Sequence, residues 1–327
     1  MNEQTVLINR EYVEGKLSRG ESFEGENLSG LNLSDSALQN ADFSGADLSG
    51  ALLVNADLTG AILDHAVITM ADLSGAVLTG ANLAGANLSD AVLEKARLND
   101  ADLTGARLKG ARITGAILSD AVFENAVMTG AVLIRVKAVD ANFSNADLSG
   151  AVFTQGELMG ADFSKSRLDK ADFQGANLSE ASMQGAVGHQ ANFYKADLTL
   201  LRASEGADFS RARFVESSGK ESIWHNAILT DADFSYSTME GADFAKASME
   251  RANLYAANMK FTRFIKANLK QAKLIQMNLF EGSLEKADLT DADLSGSNMY
   301  SVEFLDANVV RTIMKHTNLK MTKLYTG

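Results

Sequence analysis

The 327-residue sequence contains no cysteine, no proline and a single tryptophan. Without cysteine there is neither a disulfide framework nor a thiolate metal site, and the redox compartment stays open. Proline removes a backbone donor, so its complete absence suits a chain in which nearly every N–H is wanted by a neighbouring segment. No apolar run approaches the ~20 residues needed to cross a bilayer, so no membrane span is expected. The opening MNEQTVLINREYVEG lacks the basic-then-apolar pattern of a signal peptide. The expectation is a soluble, unprocessed, cytoplasmic protein. The 4 histidines (His65, His189, His225, His316) are scattered. No HExxH, GxSxG, GxxxxGK(S/T) or GxGxxG pattern falls in a usable context. No enzymatic activity, cofactor or metal is therefore expected.

What the sequence has is a period. From Ala41 to Arg135 alanine returns every fifth residue without exception, as in Ala71-Asp72-Leu73-Ser74-Gly75 and Ala81-Asn82-Leu83-Ala84-Gly85. Neither a helix (period 3.6) nor a strand (period 2) keeps a five-residue pattern on one face, which points to a solenoid. The large apolar centre falls at Phe23, Leu28, Leu33, Leu38 and onward, with the small residue two positions earlier. Both should point inward and the other three positions outward. Of the 16 phenylalanines all but Phe261 and Phe280 occupy centres, and those before residue 200 all fall in alternate pentads. Alternation requires an even number of faces per turn. Ten and twenty residues per coil both satisfy it.

Units of the form A(D/N)LXX resemble the pentapeptide repeat family, and the resemblance runs from about Glu21 to Thr326. It implies an all-β, right-handed four-sided β-helix with twenty residues per coil, here about 15 coils and about 70 Å long at ~4.8 Å per coil. Residues 1–20 are out of register and carry helix signals, giving a short N-terminal helical cap followed by a β-helix over 21–327. With twenty residues per coil, no like charges stack at the positions just before each centre: Asp42 is followed by Ile62, Asp57 by Val77, Asp147 by Arg167 and Asp243 by Arg263.

The repeat falters where Ala138, Gly188 and Gly219 replace large centres and where one residue is inserted within Leu200–Gly206. A bulge or kink is expected over 186–224, with His189, Leu200, Leu201, Gly206 and Gly219 as its residues and Trp224 as a plug. His189 stands at this defect with no second chemical group near it in the sequence.

Charge is uneven: residues 1–100 hold 15 acidic and 5 basic side chains, residues 201–327 hold 16 of each, and the net charge is −12. Nucleic acid is a poor partner for the acidic end. Towards the C-terminus the outward positions turn apolar or aromatic at Tyr236, Tyr255, Phe261, Ile265, Ile275, Phe280, Tyr300, Leu305 and Tyr325, with Lys260, Lys266, Lys320 and Lys323 among them. In the twenty-residue phase Lys260, Phe280, Tyr300 and Lys320 fall on one face with Phe261 and Met321 at its corner, and Ile265, Leu305 and Tyr325 on the next. These residues are the candidate surface for a protein partner. The resulting expectation is a non-enzymatic protein–protein interaction scaffold. The resemblance implies two alternatives: a DNA-mimicking binder of a type II topoisomerase, as in quinolone-resistance proteins, and an accessory or effector of bacterial secretion, suggested by EYVEGKLSRGESFEGENLSGLNLS. The repeat continues to Leu324 and Tyr325 with no capping helix after it, so a tail-to-tail homodimer through the C-terminal coil is also expected.

Overall fold

The five-residue period is explained by where each pentad's five backbone N–H groups go. In a computed structural model that describes residues 8–322, the centre Leu48 donates to Val67 O at 2.7 Å and Gly50 donates to Thr69 O at 2.8 Å, both on the following coil. Asp47 donates to Glu26 O of the preceding coil at 2.8 Å, and Ala51 closes the corner on Leu48 O at 3.0 Å. The fifth N–H, on Ser49, goes to the Asp47 side chain, Oδ1 at 2.9 Å. The same Asx bond serves Ser74 from Asp72, Ala84 from Asn82, Ser164 from Asp162 and Ser295 from Asp293. An Asp or Asn before the centre is thus an internal acceptor for a donor the ladder leaves over.

The corner imposes a second demand. Leu48-Ser49-Gly50-Ala51 is a tight turn whose third residue has positive φ, 63° at Gly50, and the corresponding residues Asn55 and Asp90 have φ of 55° and 58°. A type II turn needs the left-handed region at that place, where Gly, Asn and Asp are least strained. Hence glycine recurs at the last position of the unit.

Parallel bridges join residues twenty apart, as in Asn27↔Asp47, Asp72↔Val92 and Asn278↔Asn298, so a coil holds four pentads rather than two. The chain comprises two compact units, Met1–Val152 and Phe153–Gly327, both built this way. The described part of the first unit opens with helix α1 (Arg10–Ser18), whose N-cap Asn9 accepts the Tyr12 N–H at 2.9 Å. Its Val13 is buried, and Lys16 lies 5.2 Å from the centroid of the Phe23 ring in the first coil and pairs with Glu26. The helix accordingly covers that coil, as the capping argument requires.

Centres and small residues form the core in both units, with Leu73, Ala71, Phe43 and Phe234 all fully buried. Phenylalanines twenty apart stack with their rings parallel, Phe123 on Phe143 with centroids 4.9 Å apart and Phe173 on Phe193 at 5.1 Å. Those ten apart meet edge to face across the core, Phe163 against Phe173 at 5.6 Å. Both arrangements suit the ring quadrupole and fill a narrow square section. On the walls Asp42 faces Ile62, Asp57 faces Val77 and Asp243 faces Arg263, which keeps carboxylates from adjoining.

The expected bulge over 186–224 is much smaller than the sequence suggested. One extra residue is accommodated in the turn through Ser204, Glu205 and Gly206, and bridges across it span twenty-one residues (Val187↔Asp208, Arg202↔Ile223) before returning to twenty at Asp208↔Ile228. Gly188 and Gly219 remain in the ladder, donating to Asp208 O at 2.7 Å and Thr238 O at 2.8 Å. The volume their side chains would fill is taken by residues of the next coil: a Cβ on Gly188 would stand 2.6 Å from Phe209 Cε1, and one on Gly219 would collide with the Met239 sulfur. Trp224 is fully buried among Phe209, Phe214, Phe234 and Phe244, and its indole N–H donates to Ser222 Oγ at 2.8 Å. It plugs the core as expected.

The assignment of inward and outward positions gives graded outcomes. Leu73→Asp buries an unpaired carboxylate and should cost at least about 3 kcal/mol. Asp72→Ala removes the acceptor of the Ser74 N–H and should cost about 1 kcal/mol, whereas Thr79→Asp should stay within about 0.5 kcal/mol. Chemical denaturation of the three variants checks the order.

Candidate functional site

Only part of each pentad is free to carry function, because the small residue and centre are buried and the corner residue is held at positive φ. The residue after the centre is the least constrained. In the second unit this column reads Glu240, Lys260, Phe280, Tyr300, Lys320, one residue per coil. Phe280 and Tyr300 stack in parallel at 5.4 Å, and Phe261, at the corner, meets Phe280 edge to face at 5.9 Å. Lys260, Phe261 and Phe280 line a hollow of about 440 Å³ together with Glu240, Asn278 and Asn298. Phe261 is 44% exposed and is held at φ 61°, where a bulky side chain is disfavoured.

Beneath the aromatics runs an asparagine ladder that sequence reasoning missed. Asn298 donates to Asn278 at 2.9 Å and Asn318 donates to Asn298 at 2.8 Å. Asn278 and Asn298 accept the N–H groups of Phe280 and Tyr300 at 3.4 and 3.3 Å. The ladder fixes the backbone that carries the rings. Its signal was in the sequence, as asparagine at 258, 278, 298 and 318, and becomes legible once the twenty-residue register is known.

Of the other predicted surface residues, Lys320 and Met321 are exposed, Met321 at 71%, on the last described coil. Ile265 is half-buried and Leu305 is 37% exposed; they lie in the neighbouring column, outside the hollow. Tyr236 and Tyr255 form a separate edge-to-face pair at 5.4 Å. Tyr325, Leu324 and Lys323 lie outside the described residues, and with them the end of the coil on which the tail-to-tail contact was expected.

At the insertion, Leu200 is exposed, Leu201 fully buried in a small-residue position, Gly206 at the turn and Gly219 buried. They do not form one site. His189, which stood alone in the sequence, does not stand alone in space: its Nδ1 lies 2.7 Å from Asp169 Oδ1 and its Nε2 3.2 Å from Asp208 Oδ2. Its backbone N–H also donates to Asp169 Oδ1 at 3.1 Å. Asp169 and Asp208 come from the preceding and following coils, which is why linear inspection overlooks them. Burial alone would lower the imidazole pKa, but the hydrogen bonds and charges of the two carboxylates outweigh it and hold the pKa above the ordinary 6.5. With both nitrogens donating to carboxylates, the protonated ring has no lone pair for a metal or for a substrate proton. The arrangement ties three coils together.

Because the folded pKa of His189 is raised, the stability from this arrangement is fully present below the unfolded imidazole pKa and is lost as pH rises through the folded value. Proton NMR should show the His189 ring titrating above pH 6.5, and Asp169→Asn should move it down; a titration at or below the ordinary value in the parent protein would contradict the arrangement.

The model of the family described as pentapeptide repeats (8 copies) matches overlapping windows covering residues 27–200, 207–271 and 278–320. Among solved structures, the chain is similar to HetL, a pentapeptide repeat protein involved in heterocyst differentiation regulation from the cyanobacterium Nostoc sp. strain PCC 7120. The identity is 23%, over 97% of this chain and 95% of that one, with TM-score 0.27. It is also similar to QnrB1, a plasmid-mediated fluoroquinolone resistance protein (21% identity over 60% and 90%, TM-score 0.25). A third is a pentapeptide repeat protein from the thylakoid lumen of Arabidopsis thaliana (32% identity over 30% and 65%, TM-score 0.18). No curated protein sequence matches the chain. Repeat-model matches over most of the length, on coils of four A(D/N)LXX units, make this chain a member of the pentapeptide repeat family, with the family's right-handed β-helix.

Proposed function

We propose that this protein is a non-enzymatic scaffold that binds another protein through the aromatic column of its second unit. The observation that carries the reading is the cluster Phe261, Phe280 and Tyr300, exposed or half-exposed in mutual ring contact on a backbone fixed by the asparagine ladder. Aromatic side chains with a rigid base offer large contact area at little entropic cost, the property that enriches them at interface centres. Lys260 at one edge and Lys320 at the other supply a polar rim.

Mimicry of DNA, by analogy with fluoroquinolone resistance, is favoured by less. A duplex presents phosphate charge at every step. In the first unit one wall column reads Asp42, Ile62, Asn82, Asp102, Val122, so carboxylates are interrupted by apolar and neutral residues. Asp42 is further engaged by Ser22 and Ser44.

Affinity capture from the source organism tests the scaffold reading: a protein retained by the parent chain should be lost with Phe261→Ser/Phe280→Ser/Tyr300→Ser, while unchanged retention would refute it. DNA gyrase supercoiling should be unaffected by the purified protein, and salt-sensitive inhibition would restore the DNA-mimic reading.

A further inference from the structure

We infer that the occupant of the aromatic column is an amphipathic α-helix of the partner, laid along the coil axis with acidic residues flanking two apolar ones. The inference rests on the scaffold reading and adds the partner's secondary structure and charge order.

Spacing selects the partner's backbone conformation. Successive column residues are one coil apart, about 4.8 Å. A partner running along this axis must present side chains on one face at nearly the same interval. An α-helix does so with i, i+3 and i, i+4 neighbours, rising about 4.5 and 6.0 Å. Four coil steps from Glu240 to Lys320 cover about 19 Å, and four helical steps alternating between four and three residues, which keep the side chains on one face, cover about 21 Å, a mismatch of about 2 Å that flexible side chains span. Alternate residues of an extended strand are about 6.8 Å apart, so four steps would reach about 27 Å and lose register by the second ring. A strand laid across the wall, parallel to the coils, would meet one coil and one aromatic only.

Charge sets the order. The column runs acid, base, aromatic, aromatic, base at Glu240, Lys260, Phe280, Tyr300 and Lys320. Its complement on a helix is base, acid, apolar, apolar, acid at three- to four-residue intervals. The two apolar side chains would sit on the edges of the stacked Phe280 and Tyr300 rings and in the hollow beside Phe261. The acids would reach Lys260 and Lys320. Glu240, one coil beyond Lys260, makes the sequence of charges asymmetric and so fixes which end of the helix lies where.

The test uses fluorescence anisotropy with synthetic peptides on the full chain. One peptide is a helix-forming sequence carrying base, acid, leucine, leucine, acid on one face; a second has the same composition with two central prolines; a third carries lysine in place of both acids. The first should bind, gaining helical circular dichroism on the protein, and the second should not. Lys260→Glu/Lys320→Glu should weaken the first peptide by about tenfold and strengthen the third, a reversal that loss of fold in the variant could not produce. Equal binding of the proline peptide, absence of any peptide binding, or indifference to the lysine exchange would each overturn the inference. If native-partner capture is still abolished by the triple aromatic variant while the helical peptide fails, the scaffold reading stands and the helical partner is wrong.

Discussion

The fold depends on satisfying backbone donors in a structure with almost no conventional strand length. Each pentad contributes only a short bridged segment to each wall, too little for ordinary sheet pairing, so stability comes from repetition: four of five N–H groups are engaged by main chain, two of them reaching forward one coil and one back. The fifth has no main-chain partner in the pattern and is met by the side chain before the centre, as Asp47 does for Ser49. The repeat formula therefore records a hydrogen-bond requirement as much as a packing one. Alanine fits the corner, leucine or phenylalanine the core, Asp or Asn the leftover donor, and glycine the left-handed turn.

The periodic features were legible before any coordinates: the inward centres, the alternation of phenylalanines and the absence of stacked like charges follow from sequence spacing, and the helix over the first coil from the helix signals of residues that fall outside the register. Phase alone left ten and twenty residues per coil open, because both put Phe153 and Phe173 on one wall; the bridges twenty apart decide it. The expected bulge shrinks to one extra residue in a turn, for a physical reason. A missing centre such as Gly188 removes side-chain volume without removing a backbone donor, and Phe209 on the next coil fills the gap, so the ladder continues. Contacts between coils were the least visible, since the partners of His189 lie about twenty residues away on either side. The asparagine ladder was hidden for the same reason.

These constraints also locate function. Where two positions are buried, one is an acceptor and one is held at positive φ, variation tolerated by the fold collects at the residue after each centre, and stacking turns that position into a column. The column from Glu240 to Lys320 departs from the serine and threonine common elsewhere at this position, replacing them by charge and aromatic rings. His189 shows the alternative use of the same position, in which the half-exposed side chain lies along the wall between carboxylates of the adjacent coils and ties coils together.

Amide hydrogen exchange measured residue by residue tests the central claim, that an Asp or Asn before the centre takes the donor left over by the ladder. The N–H groups of Ser49, Ser74 and Thr104, which have Asp47, Asp72 and Asp102 as acceptors, should exchange more slowly than those of Lys109, Thr129 and Ile134, which follow Arg107, Val127 and Val132 at the same place in the unit. Equal protection in the two sets would contradict the account.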